Sequence, residues 1–391
     1  MTYIVGIDIA KYHHQCLVIN LEGEVVHKPF SFDNNHQGFQ QLLSVLISFD
    51  ASKQIRIGFE ATGHYGSNLK NFLHNLGFDF MEIHPILINR FSKASTLRKT
   101  KTDTVDVTMI CSYLTSVDYQ PYLIKSYHIT SLKSLTRLRD ALVKERSLQL
   151  QRLTNVLDLI FPEFKPFFNH SLKSVSCQYL LLNYGTPSKM SRMNQASYRK
   201  MASKLRRTIS YAKFLQLKEL ANTTVGVEDS ILTFQLNTIL NLYHHQDRLV
   251  SETDELITYK YSLVDSKLHS IPGIGIISAA GIFSEVEDFS RFSHPDKLVA
   301  FSGLDCAYYQ SGESEFTGKM VKRGSSYLRQ YLMNSAMMVI NHNPNFYDYY
   351  LKKRNEGKHH RVALSHVAKK LIRIIFKLET SQMDFNPQLM R

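Results

Sequence analysis

Cysteine is scarce in this chain. Four occur among 391 residues, at positions 16, 111, 177 and 306, with no paired spacing. That argues against a disulfide framework or a cysteine-rich zinc site and fits reduced, structural thiols in a cytosolic protein. No stretch is long and apolar enough to cross a bilayer. The N-terminus has no basic leader and no small-residue cleavage site, so no signal peptide is expected and the expected location is cytoplasmic. Acidic residues are outnumbered, 34 Asp and Glu against 47 Lys and Arg, which leaves a formal net charge of +13. Such an excess predicts a polyanionic partner, with nucleic acid the first candidate. From Lys189 to Lys218 the chain has no acid at all and nine basic residues, Arg206 and Arg207 among them. A solvated face usually mixes signs, so this stretch reads as a phosphate-facing surface.

What is present points to more than one domain, since 391 residues exceed what one core usually holds. Residues 3–9, 15–20, 24–32, 55–60 and 78–84 read as strands. Residues 38–49 and 65–76, and a run from about Thr102, read as helices. The order β-β-β-α-β-α-β-α predicts a ribonuclease H-like domain, an antiparallel meander followed by parallel strands, over residues 1–129. Glycine is absent from Thr130 to Leu159, and Gly and Pro are both absent from Ile231 to Leu268. Leucines at 132, 135, 138, 142, 148, 153 and 157 predict a long amphipathic helix in the first run, so residues 130–268 are expected to form a coiled-coil arm. Residues 269–380 are expected to be a separate, mainly helical domain. It opens on Ile271-Pro-Gly-Ile-Gly275, which fits a helix-hairpin-helix turn whose Gly273 and Gly275 let backbone amides approach a phosphate, although an ordinary turn between helices fits as well. The tail from 381 is expected to be disordered.

The stretch Leu97–Leu114 sets Asp103 and Asp106 three residues apart, next to Arg98, Lys99 and Lys101. A helix starting near Thr102 would put both carboxylates on one face and turn Val105, Met109 and Ile110 towards a core. Alone, the pair could be no more than an acidic first turn. Two earlier carboxylates strengthen a catalytic reading, because Asp8 and Glu60 lie on or at the end of predicted strands that neighbour each other in a ribonuclease H-like sheet. Four such carboxylates can hold hard cations, Mg²⁺ with Mn²⁺ as the alternative, for phosphoryl transfer.

Gly6-Ile-Asp-Ile-Ala-Lys11, Phe59-Glu-Ala-Thr-Gly63 and Lys101-Thr-Asp-Thr-Val-Asp106 resemble the DEDD signature of the insertion-sequence 110 transposases, also called bridge-RNA-guided recombinases. Ile271-Pro-Gly-Ile-Gly275, Gly303-Leu304, Gln310-Ser-Gly312 and Lys322-Arg-Gly324 with Leu328-Arg329 resemble the second half of that family. A proline common two residues after the Gly-Leu is replaced here by Cys306. The resemblance implies a RuvC-like domain with Asp8, Glu60, Asp103 and Asp106 at the metal site. It also implies a serine, carried over onto Ser311, acting as nucleophile on double-stranded DNA of element ends and target. Lys319, Lys322 and Arg323 would then hold phosphates beside it. Family members bind an RNA encoded by their own element and assemble as oligomers, here expected to be a dimer to tetramer. Ser302 is the rival nucleophile, though its neighbours Phe301 and Leu304 predict a buried turn. Three other readings compete. A junction-resolving nuclease would use the same carboxylates with water as nucleophile. A non-catalytic nucleic-acid-binding protein predicts a missing carboxylate, and none is missing. An actin-like ATPase would need further phosphate and adenosine motifs that the chain lacks.

Overall fold

In the computed structural model, which describes residues 2–49, 54–83, 85–95, 102–119, 127–206, 208–311 and 314–390, the chain divides into two units, 1–124 and 125–391. At residues 103, 127–128, 306–311, 314–319 and 389–390 the description is of the backbone alone.

The first unit is built on a five-stranded sheet. Strands β1 (Tyr3–Ile9), β2 (His13–Asn20) and β3 (Val25–Asp33) form an antiparallel meander. Helix α1 (His36–Ile47) then leads to β4 (Ile55–Glu60), and α2 (Ser67–Asn75) to β5 (Phe80–Ile83). β4 runs parallel to β1, and β5 parallel to β4, giving the order β3-β2-β1-β4-β5. Alternation along the strands supplies two apolar faces. Val5, Ile7, Ile57, Phe59 and Phe80 pack under Leu42 and Leu46 of α1 and Leu69 and Leu73 of α2. Ile4, Leu17, Ile19 and Ile83 pack on the opposite face with Val107, Ile110, Cys111 and Leu114 of α4 (Asp103–Ser116).

Two expectations need correction here. The strand expected from residue 78 begins only at Phe80, and Pro85 opens α3 (Pro85–Ser95), a position where the missing N–H costs nothing. The stripe of α4 that meets the sheet is Val107, Ile110, Cys111 and Leu114, whereas Val105 and Met109 are only half-buried. α4 begins where expected, because the Thr102 side chain accepts from the Val105 amide at 3.3 Å and caps the first turn.

The second unit is helical apart from one hairpin. α5 (Tyr127–Ile160) and α11 (Ser230–Ser262) are 34 and 33 residues long, about 50 Å each. They run antiparallel, since residue numbers rise along one as they fall along the other: Arg139 pairs with Asp254, and Arg146 with Asp247. Beyond their far ends, α6 (Phe164–Phe167), α7 (Val175–Asn183), α8 (Pro187–Ser191), α9 (Gln195–Lys204) and α10 (Tyr211–Thr223) make a small helical cap. Its core joins Met190, Met201, Phe214 and Leu217 to Leu153, Leu157, Leu236 and Leu240 of the long pair. At the near end, Leu132, Ile257 and Tyr261 share one core with α12 (Ile276–Val286), α13 (Pro295–Ser302), α14 (Ser326–His342), α15 (Pro344–Asn355) and α16 (His360–Ser381).

Four details of this unit differ from expectation. Leu138 and Leu148 do not face the partner helix; they are 50% and 44% exposed. α11 stops at Ser262, and residues 268–270 form a separate 3-10 turn. Tyr308 to Ser311, for which no strand was expected, lie in a two-stranded hairpin of β6 (Cys306–Ser311) and β7 (Ser314–Met320). The tail is ordered: Phe385 packs on the core, and its amide donates to Ser270 Oγ at 2.9 Å.

Candidate functional site

The carboxylates of the first unit are positioned by strand register. Tyr3 to Ile7 of β1 pair in parallel with Ile55 to Phe59 of β4, so Asp8 and Glu60 are the next residues along each strand. Adjacent strands lie about 4.8 Å apart, and residues in step point to the same face. That face is the one α4 covers, because Ile4, in phase with Asp8, and Ile83, paired with Glu60, belong to the α4 cluster. Both acids are half-buried at the carboxyl ends of parallel strands, on either side of the point where the chain order reverses.

Two glycines bring α4 this close. A Cβ on Gly6 would lie 2.5 Å from Cys111 Sγ and 3.1 Å from the Val107 carbonyl oxygen; one on Gly58 would lie 2.7 Å from the Leu114 methyls. Gly6 therefore serves helix-on-sheet packing, not the approach of a ligand or a turn. Gly63, with φ of +63°, serves a turn. Asp103 is the first residue of α4, one turn before Val107, and Asp106 lies half-buried in the same turn. The fold thus brings the helix turn carrying Asp103 and Asp106 to the sheet face carrying Asp8 and Glu60. The Asp103 side chain, Arg98, Lys99 and Lys101 lie outside the described residues. Among the described residues no group of three or more His, Cys, Asp or Glu is close enough to hold a metal ion. The donor set suits a hard cation, since every candidate ligand is a carboxylate and none is a thiol or imidazole. The thiols nearby are inert: burial pushes Cys111 up to about 12.

In the second unit Ser311 ends β6, paired with Ser314 across a two-residue reversal. Gly312 and the side chains of Ser311 and Lys319 lie outside the described residues. The returning limb is pinned to the end of α13. The Lys322 amide donates to Gly303 O at 3.2 Å, the Ser325 amide to Phe301 O at 3.2 Å, and Arg329 Nη1 to Ser302 O at 3.1 Å. Gly324 must be glycine, since a Cβ there would come within 2.1 Å of Phe301 O. Lys322 takes a left-handed φ of +55°, and both Lys322 and Arg323 are exposed. Ser302 is fully buried and bonds Val299 O at 2.7 Å, so it is unavailable as a nucleophile.

Gly273 is half-buried at a packing contact. It has φ of +97°, and a Cβ there would lie 2.9 Å from the α14 backbone at Met338 and Val339, so its lack of a side chain lets two segments pack. Gly275 is open and exposed at the start of α12, and only the 3-10 turn, not a helix, comes directly before this loop. Arg206 is exposed in the cap, whereas Arg207 lies outside the described residues.

The sequence reading missed Glu285. It is 2% exposed within α12, and its carboxylate takes Arg137 through Nε at 2.7 Å and Nη2 at 3.1 Å, and Ser325 Oγ at 2.7 Å. Burial pushes its pKa up, but the bonds from Arg137 and Ser325 outweigh that and hold it below the ordinary value. Its signal in the sequence was one acid inside the apolar run Ala279–Val286.

Two stretches of the chain match known proteins. A family model described as "Transposase", for the DEDD enzymes of IS110, covers residues 5–162, and one described as "Transposase IS116/IS110/IS902 family" covers 265–351. An uncharacterized 44.8 kDa protein of insertion element IS116 from Streptomyces clavuligerus is 24% identical over 98% of this chain and 96% of its own. A pilin gene-inverting protein of Moraxella bovis is 22% identical over 99% and 98%. The transposase of insertion sequence element IS1111A from Coxiella burnetii is 28% identical over 42% of this chain and 47% of its own. Together, the two family models and these relatives define the chain as a DNA transposase. The chain belongs to the IS110 family of insertion-sequence transposases. No helix among its described residues is long and apolar enough to cross a membrane.

Proposed function

We propose that this transposase performs RNA-guided cleavage and strand exchange between element and target DNA, with Ser311 as nucleophile. The observation that carries the catalytic half is the register that sets Asp8 beside Glu60 on the face α4 covers with Asp103 and Asp106. The sheet order, with helices on both faces, supports a ribonuclease H-like, RuvC-type domain. Those four carboxylates would hold Mg²⁺ or Mn²⁺, which supplies activation of the attacking oxygen and stabilisation of the leaving one. Ser311 Oγ attacks a DNA phosphorus, its proton passes to water, and a phosphoserine ester forms as one strand leaves with its hydroxyl. Attack on that ester by a hydroxyl of the other DNA reverses the step and frees the serine, so bond energy is conserved. The family resemblance supports Ser311, at the end of β6, as the nucleophile, and the exposed Lys322 and Arg323 that follow β7 supply charge for the flanking phosphates. The basic cap and the +13 charge support a guide RNA as a second polyanion, and the family resemblance supports assembly as a homo-oligomer.

Trapping the protein on cleaved, labelled DNA and denaturing it tests this reading. Wild type should leave a protein–DNA adduct, Ser311→Ala should leave none, and wild-type cleavage without any adduct would point to water as nucleophile.

A further inference from the structure

The cap carries a cleft that the chemistry above does not use. It has a volume of about 390 Å³ and is walled by Phe167, Phe168, Val175, Ser176, Thr208 and Lys213. Both phenylalanines are half-buried, with rings nearly perpendicular at 82° and centroids 4.9 Å apart, so they present differently oriented π surfaces. Val175 is exposed and extends the apolar wall. Thr208 Oγ1 is buried and has no hydrogen-bond partner, and Ser176 lies in the same wall. Buried hydroxyls usually have partners, so an idle one in a cleft calls for a ligand. Ser176 lies in the first turn of α7, whose early amides have no partners within the helix, and Lys213 adds an exposed cation. The whole cleft opens in the unit that holds nine basic and no acidic residues between 189 and 218.

An apolar, aromatic wall beside hydroxyls, a cation and a helix start matches one chemistry: a flat base joined to a phosphate. We infer that this cleft takes a single unpaired nucleotide of a nucleic-acid strand, its base on the phenylalanines and its phosphate towards Lys213 and the start of α7. The volume lies in the range of small-ligand sites and admits one nucleotide, not a duplex. The inference rests on the nucleic-acid-binding reading of the cap and adds to it a site that grips one base.

The chain contains no tryptophan, so 2-aminopurine can be excited without background from the protein. Short single-stranded oligonucleotides with one 2-aminopurine, made as RNA and as DNA, are titrated with the full chain while anisotropy reports total binding. Entry into the cleft unstacks the probe from its neighbours, so its fluorescence should rise on binding. Phe167→Leu, which keeps apolar volume but removes a stacking face, and Val175→Glu, at an exposed position, should abolish the rise and weaken binding roughly tenfold. Unchanged melting temperatures establish that both variants fold. The arm that shows the rise, RNA or DNA, identifies the strand. Binding by anisotropy with no rise, or a rise that both variants keep, overturns the cleft while leaving the basic cap intact. No binding of either oligonucleotide overturns the cap reading as well.

Discussion

The two units use their carboxylates in opposite ways. In the second, Asp247, Asp254, Glu285 and Glu287 each meet an Arg or Lys of α5, and these pairs join the long helices and the core at their base. In the first, Asp8 and Glu60 stand at strand ends, where the register and the close approach of α4 gather acids on one side. Concentrating like charges costs stability unless a cation offsets it, whereas pairing unlike charges ties elements together. The contrast separates chemistry from architecture within one chain: the strand-end acids Asp8 and Glu60 should matter for reaction, and the acids paired to α5 for folding.

The largest expected effect comes from the first unit. Asp8→Asn or Asp106→Asn should lower strand exchange roughly a thousandfold or more, while Tm stays within about 2 °C and nucleic-acid affinity is unchanged. Activity assays beside thermal melts check this, and a large fall in Tm would erase the contrast. Glu285→Gln should do the reverse, lowering stability by about 2 kcal/mol in denaturant titrations. The figure is below that of a fully buried pair because the Arg137 side chain is 44% exposed. Acid should remove the same support. The Glu285 pKa is depressed on folding, so its contribution is complete above the ordinary value of 4.5 and is lost as pH falls through the lower folded value. A pH series of melts should show wild type converging on Glu285→Gln in acid.

Smaller effects sharpen the picture. Replacing Arg206 and Arg207 with Ala should reduce the slope of log affinity against log salt by about 1–2, with little change in Tm. An unchanged slope would assign the basic cap to solubility. Asp140 is an exception among the acids of the helical unit. Burial raises its pKa, only one oxygen is bonded, to Tyr331 at 3.3 Å, and the other has no partner. A carboxyl whose pKa is raised on folding weighs against the folded state once ionised, so Asp140→Asn should raise Tm by about 2 °C at neutral pH and by less in acid.

The sheet unit was legible because alternation with a period of two, strand-ending acids and the Thr102 cap are local signals. β1 and β4 matched their expected ranges to the residue. The packing of Gly6 and Gly58 under α4 was not legible, since nothing local distinguishes a glycine that admits a helix from one that makes a turn. The long helices were readable from the absence of Gly and Pro, but their inward faces were not. Between the two cores the helices are joined by ion pairs of Arg139 and Arg146, and a count of leucines alone does not show that Leu138 and Leu148 turn outward. Gly273 misled for a similar reason: its need lies in the distant backbone of α14.

Mn²⁺ binding to the full chain, followed by its electron paramagnetic resonance signal, compares the two kinds of acid directly. Wild type and Glu285→Gln should bind the ion alike at a temperature where both are folded, and Glu60→Gln should lose that binding while its melting temperature holds. Undiminished Mn²⁺ binding by Glu60→Gln would contradict the assignment of the sheet-end carboxylates as a cation site.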